Sequence, residues 1–341
     1  MSTPGQAYDD GMRFAQFYFG LPLAMVILCV FVLPIYYRQK VYTAYEYLEG
    51  RFDLKTRLLA AFLFLVQRGL AAGLTIFAPA IILTALLGWN LNLTILIIGC
   101  LVILYTVLGG TKAVSQTQKQ QMVVIMTGLI IAFIVLIFKL PPDVSFGDAI
   151  GVAGKMGKLN VVDFKFDLSN RYNMWSALLG GTFLFLSYFG TDQSQVSRYL
   201  SGKSLTESRM GLLFNGIFKV PMQLFILFVG IMVFMFFQFT QPPIHYNQAN
   251  LDKLAGTQYE QQLADYQTDF DRIHAQKQTA IRDLIAAMNA TNETAISTSQ
   301  SQVLTLNGQE RQLRDDVRSI IKANDKDAST LDKDYVFINF I

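Results

Sequence analysis

The sequence predicts an all-α integral membrane protein: six transmembrane helices and an extracytoplasmic helical hairpin. Three observations carry that prediction. Only 16% of the 341 residues are charged and 52% are hydrophobic, against about 25% charged in an ordinary soluble domain. The charge deficit is confined to residues 1–240, where long apolar runs alternate with short polar connections, whereas residues 241–341 are polar throughout. Six of the runs are near the ~20 residues that a helix needs to cross a hydrocarbon core about 30 Å thick.

In order, the runs cover residues 14–37, 58–87, 91–108, 122–140, 175–197 and 210–239. They form a core of residues 13–240, preceded by a short outer segment, 1–12. The second and sixth exceed the minimum and are expected to tilt or to extend past the lipid. Basic residues sit at the ends of the runs, which argues against nucleic acid as a partner and for the lipid bilayer. Arg38, Lys40, Arg51, Lys55 and Arg57 follow the first run, Lys112 and Lys119 the third, and Arg198, Lys203 and Arg209 the fifth. On the other side, the connection at 141–172 mixes Lys155, Lys158, Lys165 and Arg171 with four Asp. The positive-inside rule puts the first set in the cytoplasm and segments 1–12 and 241–341 outside.

The outer segment 241–341 has its own pattern. Pro242 and Pro243 end the sixth helix. Leu251, Leu254, Tyr259, Leu263, Tyr266, Phe270 and Ile273 then recur at three-to-five-residue steps. A second run, Leu306, Leu313, Val317, Ile320 and Ile321, follows a Ser/Thr/Asn-rich stretch near 289–302. Two such stripes predict two amphipathic helices folded as a hairpin. A solvated spacer with weak helix content is the alternative. The segment turns apolar again at residues 334–341, which reads as the lead-in to a further span.

Cys29 and Cys100 fall inside apolar runs, so both are expected as buried, reduced thiols. His245 and His274 lack the spacing of a zinc site. No nucleophile elbow, phosphate-binding glycine loop or metal-ligand pattern is present, so neither an enzyme nor a cofactor is expected.

Ionisable groups at mid-bilayer cost several kcal/mol and by default face a cavity or a partner. Arg68, preceded by Gln67, lies about ten residues into the second run, and Lys219 about ten into the sixth. Both are then about 15 Å from the inner face, near the midplane, with Tyr188 at a similar depth. Asp192, followed by Gln193, lies about 9 Å deep. Tyr188, Lys219, Arg68, Gln67, Asp192 and Gln193 are therefore the candidate substrate-binding or gating residues. An Arg–Asp clamp holding helices together is the structural alternative. Gly69 and Gly73 have the small-residue spacing of close helix packing.

Three stretches resemble the sodium:solute symporter family. The first is Leu33-Pro34-Ile35-Tyr36-Tyr37 with the following 41–52, including Tyr42-Thr43-Ala44-Tyr45-Glu46-Tyr47-Leu48. The second is Leu104-Tyr105-Thr106-Val107-Leu108-Gly109-Gly110-Thr111-Lys112-Ala113. The third and most specific is Gly190-Thr191-Asp192-Gln193-Ser194-Gln195-Val196-Ser197-Arg198-Tyr199-Leu200. The resemblance implies a five-plus-five inverted-repeat core of the leucine-transporter type, with substrate near the midplane. In that frame the six runs look like core helices two to seven, so the chain reads as a fragment. The family's sodium site lies between core helices one and eight, and no sodium ligand is nominated here. Lys219 matches a lysine that touches substrate in sugar-transporting members, and Tyr188 an aromatic gate. Phe185 stands where those members have an amide, which counts against a sugar. Gln118 stands where the family often has Asp on the sodium exit path.

The resulting expectation is a multi-pass protein of a cell membrane of the bacterial inner-membrane type. In it, Na+ is the coupling ion and a small polar organic solute moves inward by alternating access. Arg68 and Lys219, if both face the cavity, favour an anionic solute by Coulomb attraction. The alternative is a membrane sensor, or a carrier whose outer hairpin docks a protein partner.

Overall fold

Every regular element of the computed structural model is helical, and the model describes residues 2–41, 43–166 and 173–340. Tyr42 of the first family-like stretch, Arg171 and Ile341 lie outside the described residues, as does the side chain of Lys112. Among the described residues, five stretches are long and apolar enough to cross a membrane: Thr3–Gln39, Leu54–Ile81, Leu91–Gly110, Ala113–Phe138 and Leu205–Phe239.

The first of these is not a uniform helix. Helix α1, Ser2–Asp10, passes into a 3₁₀ segment, Gly11–Phe19, then α2, Gly20–Ile27. A π segment, Leu28–Val32, leads into α3, Leu33–Gln39, which Lys40 ends in left-handed geometry. The outer segment 1–12 expected ahead of the first span is thus mostly part of the same helical run. Gly11 has φ 72°, and a Cβ there would come within 2.7 Å of the Lys158 carbonyl, so glycine is required at this turn.

Short α4, Ala44–Arg51, is capped by the Thr43 side chain, and α5, Leu54–Leu87, by Asp53, whose carboxylate accepts from Thr56 N. Gly88, at φ 68°, ends α5. The next element, α6, Leu91–Phe138, contains both the third and the fourth span. Gly110 alone breaks it, at φ 56° and ψ −159°. The loop expected around 109–121 is therefore helical apart from one residue, because glycine makes the kink and the Gln- and Lys-containing run after it continues as helix. Almost none of the side chains in the spans of α5 and α6 are buried. Cys100 is among the exposed ones, which corrects the expectation of a buried thiol, while Cys29 is buried.

Helix α7, Phe146–Lys155, starts at a capping box between Ser145 and Asp148. The expected span 175–197 is two helices, α8, Met174–Thr191, and α9, Gln193–Leu200. Asp192 separates them with extended geometry, φ −71° and ψ 113°. Helix α10, Leu205–Phe239, runs through Pro221 and ends ahead of the prolines. Short α11, Gln248–Asp252, follows, then α12, Glu260–Asn289, and α13, Glu293–Asn324. The Ser/Thr-rich stretch lies mostly inside α13, because Asn292 caps it by accepting from Ala295 N. A final short helix, α14, Val336–Phe340, closes the described chain.

The chain forms two compact units. One comprises Met1–Gly20, Leu129–Gly181 and Ile217–Ile341, and the other Leu21–Gly128 and Thr182–Gly216. In the first unit, α12 and α13 run antiparallel and bury an apolar seam that includes Phe270, Ile281, Leu284, Val303 and Val317. That seam holds one charged cluster. His274 Nδ1 lies 2.8 Å from Glu310 Oε1, and the Lys277 ammonium donates to the other carboxylate oxygen. Burial favours the neutral acid at Glu310, but the His274 hydrogen bond and the Lys277 charge override it and hold the carboxyl below its ordinary value. Its contribution to stability is therefore complete above the ordinary glutamate value of 4.5 and is lost as pH falls through the lowered one. Replacing Glu310→Ala strands a buried ammonium and is expected to cost about 3–5 kcal/mol. Hydrogen exchange along α12 and α13 in the purified protein measures it, and unchanged protection would refute the pairing.

Candidate functional site

The break between α8 and α9 gathers most of the candidate residues, all within the second unit. Interrupting a helix frees the carbonyls of its last turn, and in an apolar setting those groups must find partners inside the protein. Two tyrosines supply them. Tyr36 OH donates to Gly190 O at 2.9 Å, and Tyr199 OH donates to Phe189 O at 2.9 Å. Both tyrosines are buried.

On the N-terminal side of α9, Asp192 acts as the cap. Its Oδ1 accepts from Ser194 N at 2.9 Å and from Ser194 Oγ at 2.6 Å. Its backbone carbonyl accepts from Gln195 N and Val196 N. One turn of α9 further on, Gln195 Nε2 reaches back to Tyr188 OH at 2.8 Å and so bridges the break. Gln193 Oε1 accepts from Ala44 N at 2.9 Å, which ties α9 to the start of α4. The first and third family-like stretches therefore meet at this break through Tyr36 with Gly190 and Ala44 with Gln193.

Arg68 comes to the same place from α5. Its Nη2 lies 2.9 Å from each Asp192 carboxylate oxygen and also donates to the Ser194 hydroxyl. The carboxylate side chain is only 11% exposed and the guanidinium 34%. Arg68 Nε is buried with no hydrogen-bond partner among the described residues, and the guanidinium carbon lies 5.9 Å from the centre of the Phe64 ring. A cation shared between a carboxylate and a hydroxyl through Nη2 is an arrangement that an incoming anion can enter by exchange.

The remaining candidates lie elsewhere. Gln67 is exposed on α5. Lys219 belongs to the first unit, where it is half-buried in α10 and makes no hydrogen bond or ion pair with a described residue. Among the described residues, no group of three or more His, Cys, Asp or Glu is placed to hold a metal ion. Ser194, Gln195, Tyr36 and Tyr199 were not singled out from the sequence. The signal for Ser194 was present, since Asp-X-Ser at a helix start is a capping pattern. The tyrosines carry no such signal, because the Tyr36 target is distant in sequence and the Tyr199 target lies across the helix break.

Several helices long and apolar enough to cross a membrane mark a multi-pass membrane protein. A sequence model of the Sodium:solute symporter family matches residues 1–261, and the chain belongs to that family. It is 32% identical over 224 residues to the human sodium/iodide cotransporter, covering 64% of this chain and 34% of that protein. It is 32% identical over 216 residues to mouse sodium-coupled monocarboxylate transporter 2, covering 63% of this chain and 34% of that protein. The chain thus spans about a third of the length of these relatives. A solved structure described as a substrate-bound outward-open state of a Na+-coupled sialic acid symporter matches with a TM-score of 0.61. It is 19% identical and covers all of this chain and 65% of that one, a likeness of fold. The relatives are transporters, not enzymes.

Replacing Tyr36→Phe leaves the Gly190 carbonyl without its donor at little change in packing. A buried acceptor stranded in this way is expected to lower stability by about 1–3 kcal/mol. Thermal unfolding of the purified protein in detergent reads the effect, and a wild-type melting temperature would show that the tyrosine hydroxyl does not support the break.

Proposed function

We propose that this chain is part of a sodium-driven symporter that moves a small organic anion of the monocarboxylate class inward by alternating access. The observation that carries the reading is the Arg68 guanidinium held on Asp192 where the helix breaks. In a site of low dielectric the pair is strong only while both charges are matched. A solute carboxylate reaching Arg68 takes over the place of Asp192, and the cap on α9 then loosens. Binding of the anion is thereby linked to movement at the break. Family membership supports sodium as the coupling ion, and the names of the iodide and monocarboxylate relatives support an anionic cargo.

In this reading α8 crosses the membrane as a sixth span beside the five long apolar stretches. The basic connections lie in the cytoplasm, and α12 and α13 lie outside. The spans belong to the inverted-repeat architecture, and Lys219 is a second candidate contact for the anion, independent of Arg68.

Uptake by the complete transporter in proteoliposomes tests the proposal. An inward sodium gradient is expected to drive accumulation of labelled short monocarboxylates. Arg68→Gln and Lys219→Gln are each expected to raise the half-saturating solute concentration at least about tenfold, equivalent to about 1.4 kcal/mol. Uptake that ignores sodium, or that serves only neutral or cationic solutes, sinks the reading.

A further inference from the structure

The helix pair α12–α13 makes polar contacts at the ends of four other elements of its own unit. At the end of α10, Gln278 Nε2 donates to Phe239 O at 2.9 Å and Gln241 Nε2 to Asp271 Oδ1 at 2.7 Å. After α6, Asp143 pairs with Arg282 at 2.9 Å. At the end of α7, Gln300 Nε2 donates to Lys155 O at 2.7 Å. At the end of α1, Arg311 donates to Asp9 O at 3.1 Å.

The last contact is doubled from a second direction. Lys158, buried in the segment after α7, donates to Tyr8 O at 2.6 Å and Asp9 O at 2.7 Å. Two cations therefore meet the carbonyl end of α1, the negative pole of its helix dipole. The Lys158 carbonyl in turn accepts from Met12 N at 2.9 Å. Beneath these polar ties lies one apolar core. Ala7, Val152, Ile231, Ile281 and Val303, from α1, α7, α10, α12 and α13, all belong to it. At Gly230 a Cβ would come within 2.3 Å of Pro4 O, so α1 and α10 touch through backbone.

We propose that α12–α13 is a brace that locks the ends of α1, α7 and α10 into one rigid body, so that the motion of transport occurs in other helices. Close packing resists continuous deformation, and a seam fixed by polar ties at four element ends has no soft direction along which one end slides past another. The pair acts on the carrier itself, and no second protein is needed to explain its size. The transport arm of the test rests on the symporter reading, and the exchange arm does not.

Two experiments on the complete transporter decide the matter. In a Cys29→Ala, Cys100→Ser background, Asp143→Cys and Arg282→Cys are bridged by a short cleavable bifunctional thiol reagent. Sodium-driven uptake is expected to stay within twofold of the unbridged protein. A loss of tenfold or more, restored by cleaving the bridge, overturns the brace by showing that these ends must separate. In the second experiment, Arg311→Gln with Lys158→Met is expected to speed amide exchange in residues 2–10 at least tenfold, read by mass spectrometry. Unchanged exchange there overturns the clamp on α1. Should the parent protein move no solute at all, the symporter reading fails, and the exchange experiment alone decides the brace.

Discussion

Freed backbone carbonyls at the α8–α9 break are the constraint around which the second unit is arranged. In water such groups are solvated, but in an apolar bundle each one left unpaired costs several kcal/mol. The chain answers with two hydroxyl donors, Tyr36 from α3 and Tyr199 from the far end of α9, while Asp192 at the break accepts from the start of α9. The same economy recurs at the π segment of the first span, where Cys29 O accepts from Arg209 Nε at 3.0 Å. Irregular helix geometry survives at both places because a polar group arrives to satisfy it.

A single carboxylate then does two jobs. Asp192 caps α9 through Ser194 and holds Arg68 through both of its oxygens. The charge of Asp192 suits both tasks, since a carboxylate is favoured at a helix N-terminus and also neutralises Arg68. Conversely, Arg68 on an otherwise apolar stretch of α5 is tolerable because it is neutralised. The two residues make sense only together, and their pairing couples the position of α5 to the helical state of α9. That coupling gives the break a role that a purely structural turn would lack.

Much of this was legible in the sequence, because the bilayer imposes a coarse rule. Apolar length marks five of the six expected runs as stretches able to cross a membrane, and cost points to Arg68 and Asp192, which do meet. The sequence was less informative wherever geometry rests on one residue. Gly110 kinks α6 at a single residue, so a polar stretch that resembles a loop is helix, and Asp192 divides an apolar run that resembles one span. A tyrosine hydroxyl reaching a carbonyl more than a hundred residues away leaves no local pattern, so nothing near Tyr36 points to Gly190. The buried His274–Glu310–Lys277 cluster was hidden for a similar reason. Each member sits on a helix that looks solvated, and only the pairing of α12 with α13 buries them.

The two environments of the chain thus solve one problem with different means. Where the helix breaks between α8 and α9, lone backbone carbonyls are matched by neutral hydroxyls, and charge appears as the Arg68–Asp192 pair. Along α12 and α13 water is close, polar residues cover the outer faces, and the interior can hold a histidine, a glutamate and a lysine in mutual contact. A buried ion cluster adds little net stability over an apolar seam of equal volume. What it adds is a unique register, because a slip of one helical turn would part Glu310 from both partners. Register is what a brace requires, since Gln278, Arg282, Gln300 and Arg311 reach their separate targets only if α12 and α13 are locked in a single alignment.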